Sequence, residues 1–302
     1  MPWSRRSAVR SAGAKPRTQR AQPGVTPSRQ REGGSQRVGA DLAMYRKPRL
    51  YDIAFGFRDI AAECRGLLQL ARRHGLPAPK SAIELACGPA HHLRELTRRG
   101  LRCTGIDINA EMLAYAHALC RRDHLAVELC RGDMRTFHVT RRADLVLCLF
   151  DSFAQCATER DAIETLRAAA RALKPAALMI VEFTHPADYF GRGRSRTSER
   201  WTQREGDSAV RTRFSITRCD PVAETFIASM TIEPVGRNGK RPCPKERLEM
   251  RWLQHMWMRG GFQYVALASG AFDIVGWYGD IDPVMALTDP QAWRMIAVLR
   301  RR

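Results

Sequence analysis

Apolar residues in this chain gather into five short runs, and the stretches between them repeat at helical spacing. The runs are Ala82 to Leu85, Leu101 to Asp107, Ala126 to Cys130, Asp144 to Phe150 and Leu178 to Phe183. Each is too short and too rich in Leu, Val, Ile and Cys for a surface helix, so each predicts a buried strand. After the second run, Asn109 is a good N-cap for a helix over 110–122, with Met112, Leu113 and Ala116 on one face. Thr158 to Leu173 reads as a second amphipathic helix ending at a Lys174-Pro175 break. Ile60, Cys64, Leu67, Leu68 and Ala71 predict another, over Arg58 to His74, ahead of the first strand. Strands alternating with helices in this way give a parallel sheet whose ligand lies at the strands' C-terminal tips.

Beyond the fifth run the period changes to two. Val210, Thr212, Phe214 and Ile216 alternate with Arg211, Arg213, Ser215 and Thr217. After Asp220-Pro221, Phe226, Ala228, Met230 and Ile232 alternate with Ile227, Ser229, Thr231 and Glu233. These predict an antiparallel hairpin inside an insertion over about 189–250, flanked by strands at Arg200 to Arg204 and Arg247 to Arg251. One face of the hairpin is apolar enough to roof a site. The remainder predicts a helix around Leu253 to Arg259, a Gly260-Gly261-Phe262 turn, a sixth strand over Gln263 to Ala268 and a closing strand over Trp293 to Leu299.

The chemistry concentrates in the first two strands and the turn between them. Glu84 closes the first strand, Ala86, Cys87, Gly88, Pro89 and Ala90 make a tight small-residue turn into a helix, and Asp107 ends the second strand. A carboxylate there can accept hydrogen bonds from ribose hydroxyls while the turn's backbone lies against a nucleoside. A dinucleotide would want three glycines and free amides for its pyrophosphate. Here only Gly88 is glycine, and Pro89 removes an amide. That suits a ligand with ribose and adenine but no phosphate, such as S-adenosylmethionine.

At these residues the chain resembles the class I S-adenosylmethionine-dependent methyltransferases, whose first motif is matched by Glu84 through Ala90, with Ala86 and Ala90 standing where the family has glycine. The resemblance covers about Tyr51 to Arg302. It implies a Rossmann-like, seven-stranded, mostly parallel sheet with helices on both faces, and an antiparallel β insertion after strand five. The layout is similar to that of sugar N-methyltransferases and glycine or sarcosine N-methyltransferases. The resemblance further implies that Glu84, Ala86, Cys87, Gly88, Asp107, Ile108, Met112, Asp133, Met134, Leu149 and Phe150 surround the cofactor. Within that set, Asp133 would contact the adenine amino group and its apolar neighbour would pack on the ring. Tyr51-Asp52 resembles a Tyr-Asp pair whose tyrosine folds over the cofactor or positions the substrate; Tyr51 could equally pack the N-terminal cap.

Methyl transfer is an in-line displacement, and a base matters only when the acceptor is protonated. In the sugar N-methyltransferases a histidine in the loop after strand four has this kind of role, and Gln155 stands at that position. Glutamine cannot take a proton, so Asp151 and His185, each just past a strand tip, are the local candidates. His185 also reads as a loop histidine bonded to backbone, and Asp151 as a cap of the following turn. The acceptor implied is a small molecule, with excess arginine favouring an anionic one such as a nucleotide sugar. The alternatives are a nucleic-acid methyltransferase and a non-catalytic cofactor-binding or scaffold protein. Against the former, Phe150-Asp151-Ser152-Phe153 lacks the Asn or Asp followed by Pro-Pro expected after strand four.

Composition adds boundary conditions. The 302 residues carry a formal charge of +19. Nine basic residues face one acid between Met1 and Ala40, among many Gly, Pro and Ser, so residues 1–43 predict a disordered basic extension. It reads as an arm for anionic surfaces, as a transit peptide, or as translated upstream sequence ahead of a working start at Met44; residues 44–302 form the methyltransferase-like domain. Nine scattered cysteines without a Cys-x-x-Cys pair predict buried thiols in a reducing, cytoplasmic setting and no metal site. No apolar run is long enough to span a membrane. The oligomeric state is open.

Overall fold

The computed structural model describes residues 45–189, 198–235 and 247–302. The extension over 1–43 therefore lies outside the described residues. A short helix α1 (Pro48–Ala54) and the longer α2 (Ile60–Arg73) precede β1 (Ser81–Leu85). The chain then alternates through α3 (His91–Arg98), β2 (Arg102–Asp107), α4 (Ala110–Arg122), β3 (Val127–Arg131) and β4 (Ala143–Cys148). It continues through α5 (Glu159–Ala172) to β5 (Leu173–Thr184) and α6 (Pro186–Tyr189). The caps form where the side chains allow them. Asp59, Asn109 and Thr158 each accept an amide from the first turn of the helix they open.

The main sheet has the order β10-β11-β5-β4-β1-β2-β3, where β10 is Phe272–Tyr278 and β11 is Arg294–Arg301. The five strands β1 to β5 run parallel, and β11 lies antiparallel between β5 and β10. Residues Ser81–Leu85 are buried along their whole length, as expected of a strand covered on both faces. One face packs Ile83, Val146, Met179 and Phe183 against α5 and the segment around Phe262. The other packs Ala82, Leu145, Leu147 and Ile180 against Leu67, Leu70 and Leu93 of α2 and α3.

A second, four-stranded antiparallel sheet follows β5: β6 (Ser198–Glu205), β7 (Ser208–Asp220), β8 (Thr225–Pro234) and β9 (Leu248–His255). Its register brings Trp201, Thr212, Ile232 and Leu248 into one row and Phe214, Met230 and Met250 into another. That apolar face covers Ile53, Ala54, Tyr51 and Phe55 of the α1 region.

Two expectations change. Leu253 is not in a helix, because β9 stays paired with β8 as far as His255. The Gly260-Gly261-Phe262 turn and the strand over Gln263 to Ala268 are together one helix, α7 (Arg259–Ser269). Phe262, Val265, Ala266 and Ser269 recur on its buried face at spacings of three and four, a period that outweighs two glycines placed in the first turn. The sixth strand is β10. The Lys174-Pro175 break also lies inside β5, where Ala176 has φ 57° and the register against β4 slips. No helix among the described residues is long and apolar enough to cross a membrane.

Candidate active site

The turn after β1 is built on left-handed backbone. Ala86, Gly88 and Ala90 have φ of 53°, 50° and 57°. A side chain is strained in that region, by about 1 to 2 kcal/mol per residue, so two of the three positions carry strain that glycine would avoid. A Cβ placed on Gly88 would meet nothing within 4 Å, so the turn faces open space there. The Gly88 amide donates to Asp107 Oδ2 at 2.8 Å and the Asn109 amide to Oδ1, also at 2.8 Å. Burial raises the Asp107 carboxyl above its usual range while these amides pull it back. Each oxygen still has a lone pair for a further donor. Ile108 beside it is 54% exposed, an apolar surface at the lip of the same strand tip.

Other sequence-predicted residues sit differently. Met112 and Leu149 are buried, and Met134 packs against the core. Cys87 is buried, and its thiol is pushed up by that burial. Asp133 is gripped by the Arg135 guanidinium at 2.6 Å, which holds its carboxyl low and joins it to Asp161 at 2.8 Å. Glu84 accepts from His92 at 3.1 Å through one oxygen, while the other is buried without a hydrogen-bond partner among the described residues.

Helix α1 leans over the β2 tip. The phenols of Tyr51 and of Tyr45 just before α1 are raised, first by burial and also by charges that include Asp107. Tyr51 packs, tilted, between Tyr45 and Phe55 at centroid distances of 5.8 and 4.7 Å. Asp52 anchors the helix by accepting from His91 Nε2 and from the Tyr115 hydroxyl at 2.7 Å.

The β4 tip is the second polar centre. Phe150 and Asp151 are consecutive left-handed residues, with φ of 57° and 58°. The Asp151 carboxylate accepts from the Thr184 amide at 3.1 Å and hydroxyl at 3.0 Å, and more distantly from Gln254 of β9 at 3.4 Å. Burial pushes it up to about 7. His185 is tied to backbone on both nitrogens: Nδ1 accepts from Ala187 at 3.2 Å and Nε2 donates to the Leu287 carbonyl at 3.0 Å. Neither nitrogen is left for a substrate proton, so the structure places His185 in a loop brace. Tyr45, Thr184 and Gln254 join the site without having been expected there, because their residue types give no signal until the fold brings them to the strand tips.

In the sheet order, β1 lies between β4 and β2, so the open glycine turn sits between the carboxylates of Asp151 and Asp107. Residues 82–176 match the family model described as a methyltransferase domain. The chain is 35% identical over 135 residues to a Streptomyces fradiae dTDP-3-amino-3,6-dideoxy-alpha-D-glucopyranose N,N-dimethyltransferase; the match covers 44% of this chain and 51% of that protein. The chain spans about half the length of the curated relatives it matches. Among solved structures, an S-adenosylmethionine-bound amino pentose methyltransferase from Micromonospora echinaspora superposes with a TM-score of 0.64 at 21% identity, over 84% of this chain and 97% of that one. An S-adenosylmethionine-dependent methyltransferase from Clostridium acetobutylicum gives 0.66 at 16% identity, over 83% and 96%. The main sheet with its flanking helices therefore shares the Rossmann-like fold of these structures.

Proposed function

We propose that this protein transfers a methyl group from S-adenosylmethionine to a nitrogen of a small-molecule amine. The observation that carries the reading is the arrangement at the C-terminal tips of three adjacent strands, with an open glycine turn between a ribose-type carboxylate, Asp107, and a second carboxylate, Asp151, poised near neutrality. The bound cofactor would supply an electrophilic methyl on a sulfonium, needing no covalent enzyme intermediate. Asp107 would accept the ribose hydroxyls, Ile108 would pack on the adenine, and the Gly88 backbone would lie against the ligand, where a larger residue would intrude. With Asp133 held by Arg135, recognition of the adenine amino group would fall to neighbouring backbone.

Asp151 would take the proton that an amine must lose. The bound cofactor would give up its methyl to the nitrogen and keep the electron pair of that bond on sulfur, while the Asp151 carboxylate would hold the proton that the nitrogen sheds. Thr184 and Gln254 aim that carboxylate. The N,N-dimethyltransferase names of the similar proteins favour an amino sugar, which would match the polar lining.

The test is calorimetric titration of S-adenosylhomocysteine, followed by methyl-transfer assays on amines, hydroxyl compounds and nucleotide sugars. Wild type should bind and turn over an amine, with kcat/KM falling as pH drops below about 7 and Asp151 becomes protonated. Asp151→Asn should bind equally well and lose about a hundredfold or more in turnover. An Asp151→Asn variant as active as wild type would remove the base from the reading.

A further inference from the structure

We infer that Glu182, locked between Arg58 and Arg294, is a positioning residue that holds the strained Phe150-Asp151 turn in the geometry the transfer requires. The inference rests on the reading of Asp151 as the base. Two consecutive non-glycine residues in left-handed backbone persist only where their surroundings determine them, and such strain gathers at working sites. Here the restraint comes from the neighbouring strand. Glu182 is 4% exposed near the end of β5, and its Oε2 accepts the Phe150 amide at 3.0 Å. Two residues later, Thr184 binds the Asp151 carboxylate through its amide and its hydroxyl. The turn is thus pinned at successive residues by alternate residues of one strand.

A buried acid could not hold this position alone, since desolvation would favour its neutral form. Arg58 donates to Glu182 Oε2 at 3.1 Å and Arg294 to Oε1 at 3.1 Å. Together they keep Glu182 low and ionised against its burial. The Arg58 guanidinium also lies 4.6 Å from the centre of the Phe150 ring, which packs against the Phe55 ring in a T-shaped pair with centroids 4.9 Å apart, so the clamp grips side chain as well as backbone. Both arginines share Glu63, at 2.8 Å for Arg58 and 3.2 Å for Arg294, and Arg294 also binds Asp280 at 2.6 Å. Glu63 accepts from His92 at 2.9 Å, and His92 in turn meets Glu84 at 3.1 Å. A continuous run of charged hydrogen bonds therefore joins Glu84, at the head of the turn after β1, to the Phe150 amide. A purely structural ion cluster has no need to end on the backbone of a strained turn.

The groups facing Asp151 are Thr184 and Glu182 of β5, Gln254 of β9, Tyr189 of α6 and Cys148 of β4. Of these only Glu182 brings a full negative charge, and it opposes ionisation of Asp151. Two substitutions separate charge from position. Glu182→Gln removes the charge and weakens the pin. It should speed amide exchange at Phe150, lower kcat by about tenfold to a hundredfold, leave S-adenosylhomocysteine affinity nearly unchanged and move the acid limb of kcat/KM to lower pH. Arg58→Lys keeps the cation but loses the planar fork and the ring contact. It should loosen Phe150 and lower kcat with the acid limb in place. A folded Glu182→Gln protein with wild-type kcat and an unmoved limb overturns the inference. If that variant does not fold, Arg58→Lys decides: wild-type kcat with wild-type Phe150 exchange overturns it. Full turnover in Asp151→Asn would instead count against the base, and amide exchange at Phe150 would then decide the clamp by itself, unchanged exchange in Glu182→Gln overturning it.

Discussion

The turn after β1 and the turn after β4 both put left-handed residues at neighbouring strand tips, yet they are held in different ways. In the first, the acid Asp107 accepts two main-chain amides, Gly88 and Asn109, and no charged side chain is needed to fix it. In the second, the main chain at Phe150 donates to a buried side chain that is itself held by two arginines. The first arrangement depends on backbone geometry and tolerates side-chain change around it. The second depends on ionised groups, so charge, pH and the shape of the cation all bear on it. A fixed ligand such as a ribose suits a rigid backbone cradle, and a proton acceptor suits a turn whose electrostatics can be tuned.

Asp107→Ala would break the comparison hardest. Two charged hydrogen bonds of about 1.5 to 3 kcal/mol each are at stake, so S-adenosylhomocysteine affinity should fall about a hundredfold or more. The Gly88 and Asn109 amides would also lose their acceptor, so thermal unfolding should be followed beside the calorimetry. Affinity lost only in proportion to stability would make Asp107 a cap and not a ligand residue.

Gly88→Ala sharpens the same point. Left-handed backbone should cost the alanine variant about 1 kcal/mol of stability, whether or not a ligand comes near. Close approach of a cofactor predicts more, because the added methyl would project into the space the ligand needs. Affinity for S-adenosylhomocysteine should drop tenfold or more while unfolding shifts by only a few degrees. Equal effects on both would mean the glycine serves the turn alone.

The same contrast decides what could be read from the chain. The cradle was legible because its signals are local: Glu84 to Ala90, Asp107 and Asn109 lie in one stretch, and the strand, cap and turn each leave a short-range mark. The roof strands were legible too, since alternation from Val210 to Ile232 is a period of two that no helix shares. The region from Leu253 to Ala268 was misread because two glycines resemble a turn and the helical face of α7 emerges only once Phe262 has a core to meet. The clamp was not legible at all. Arg58, Glu182 and Arg294 are 124 and 112 residues apart in their pairings, and an acid inside an apolar strand looks like an exception until its partners arrive. Asp151 was visible as an acid past a strand tip, but its elevation to about 7 comes from burial that only the fold creates.

The smallest effect concerns the alanines that replace glycine in the cradle, and they should not behave alike. Ala86 is half-buried, so Ala86→Gly relieves about 1 to 2 kcal/mol of left-handed strain against about 0.5 to 1 kcal/mol of added chain entropy. The variant should melt a few degrees higher in calorimetry. Ala90 has the same backbone sign, but its methyl is fully buried among Leu93, Leu96 and Ala116. Removing it forfeits about 0.8 kcal/mol of burial, which cancels most of the relief and leaves Ala90→Gly close to neutral. A rise in melting temperature at 90 as large as at 86 would show that the buried methyl contributes nothing. A fall at 86 would show that the turn does not hold its left-handed backbone in solution, and the cradle would then need a side-chain support of the kind that Glu182 gives the other turn.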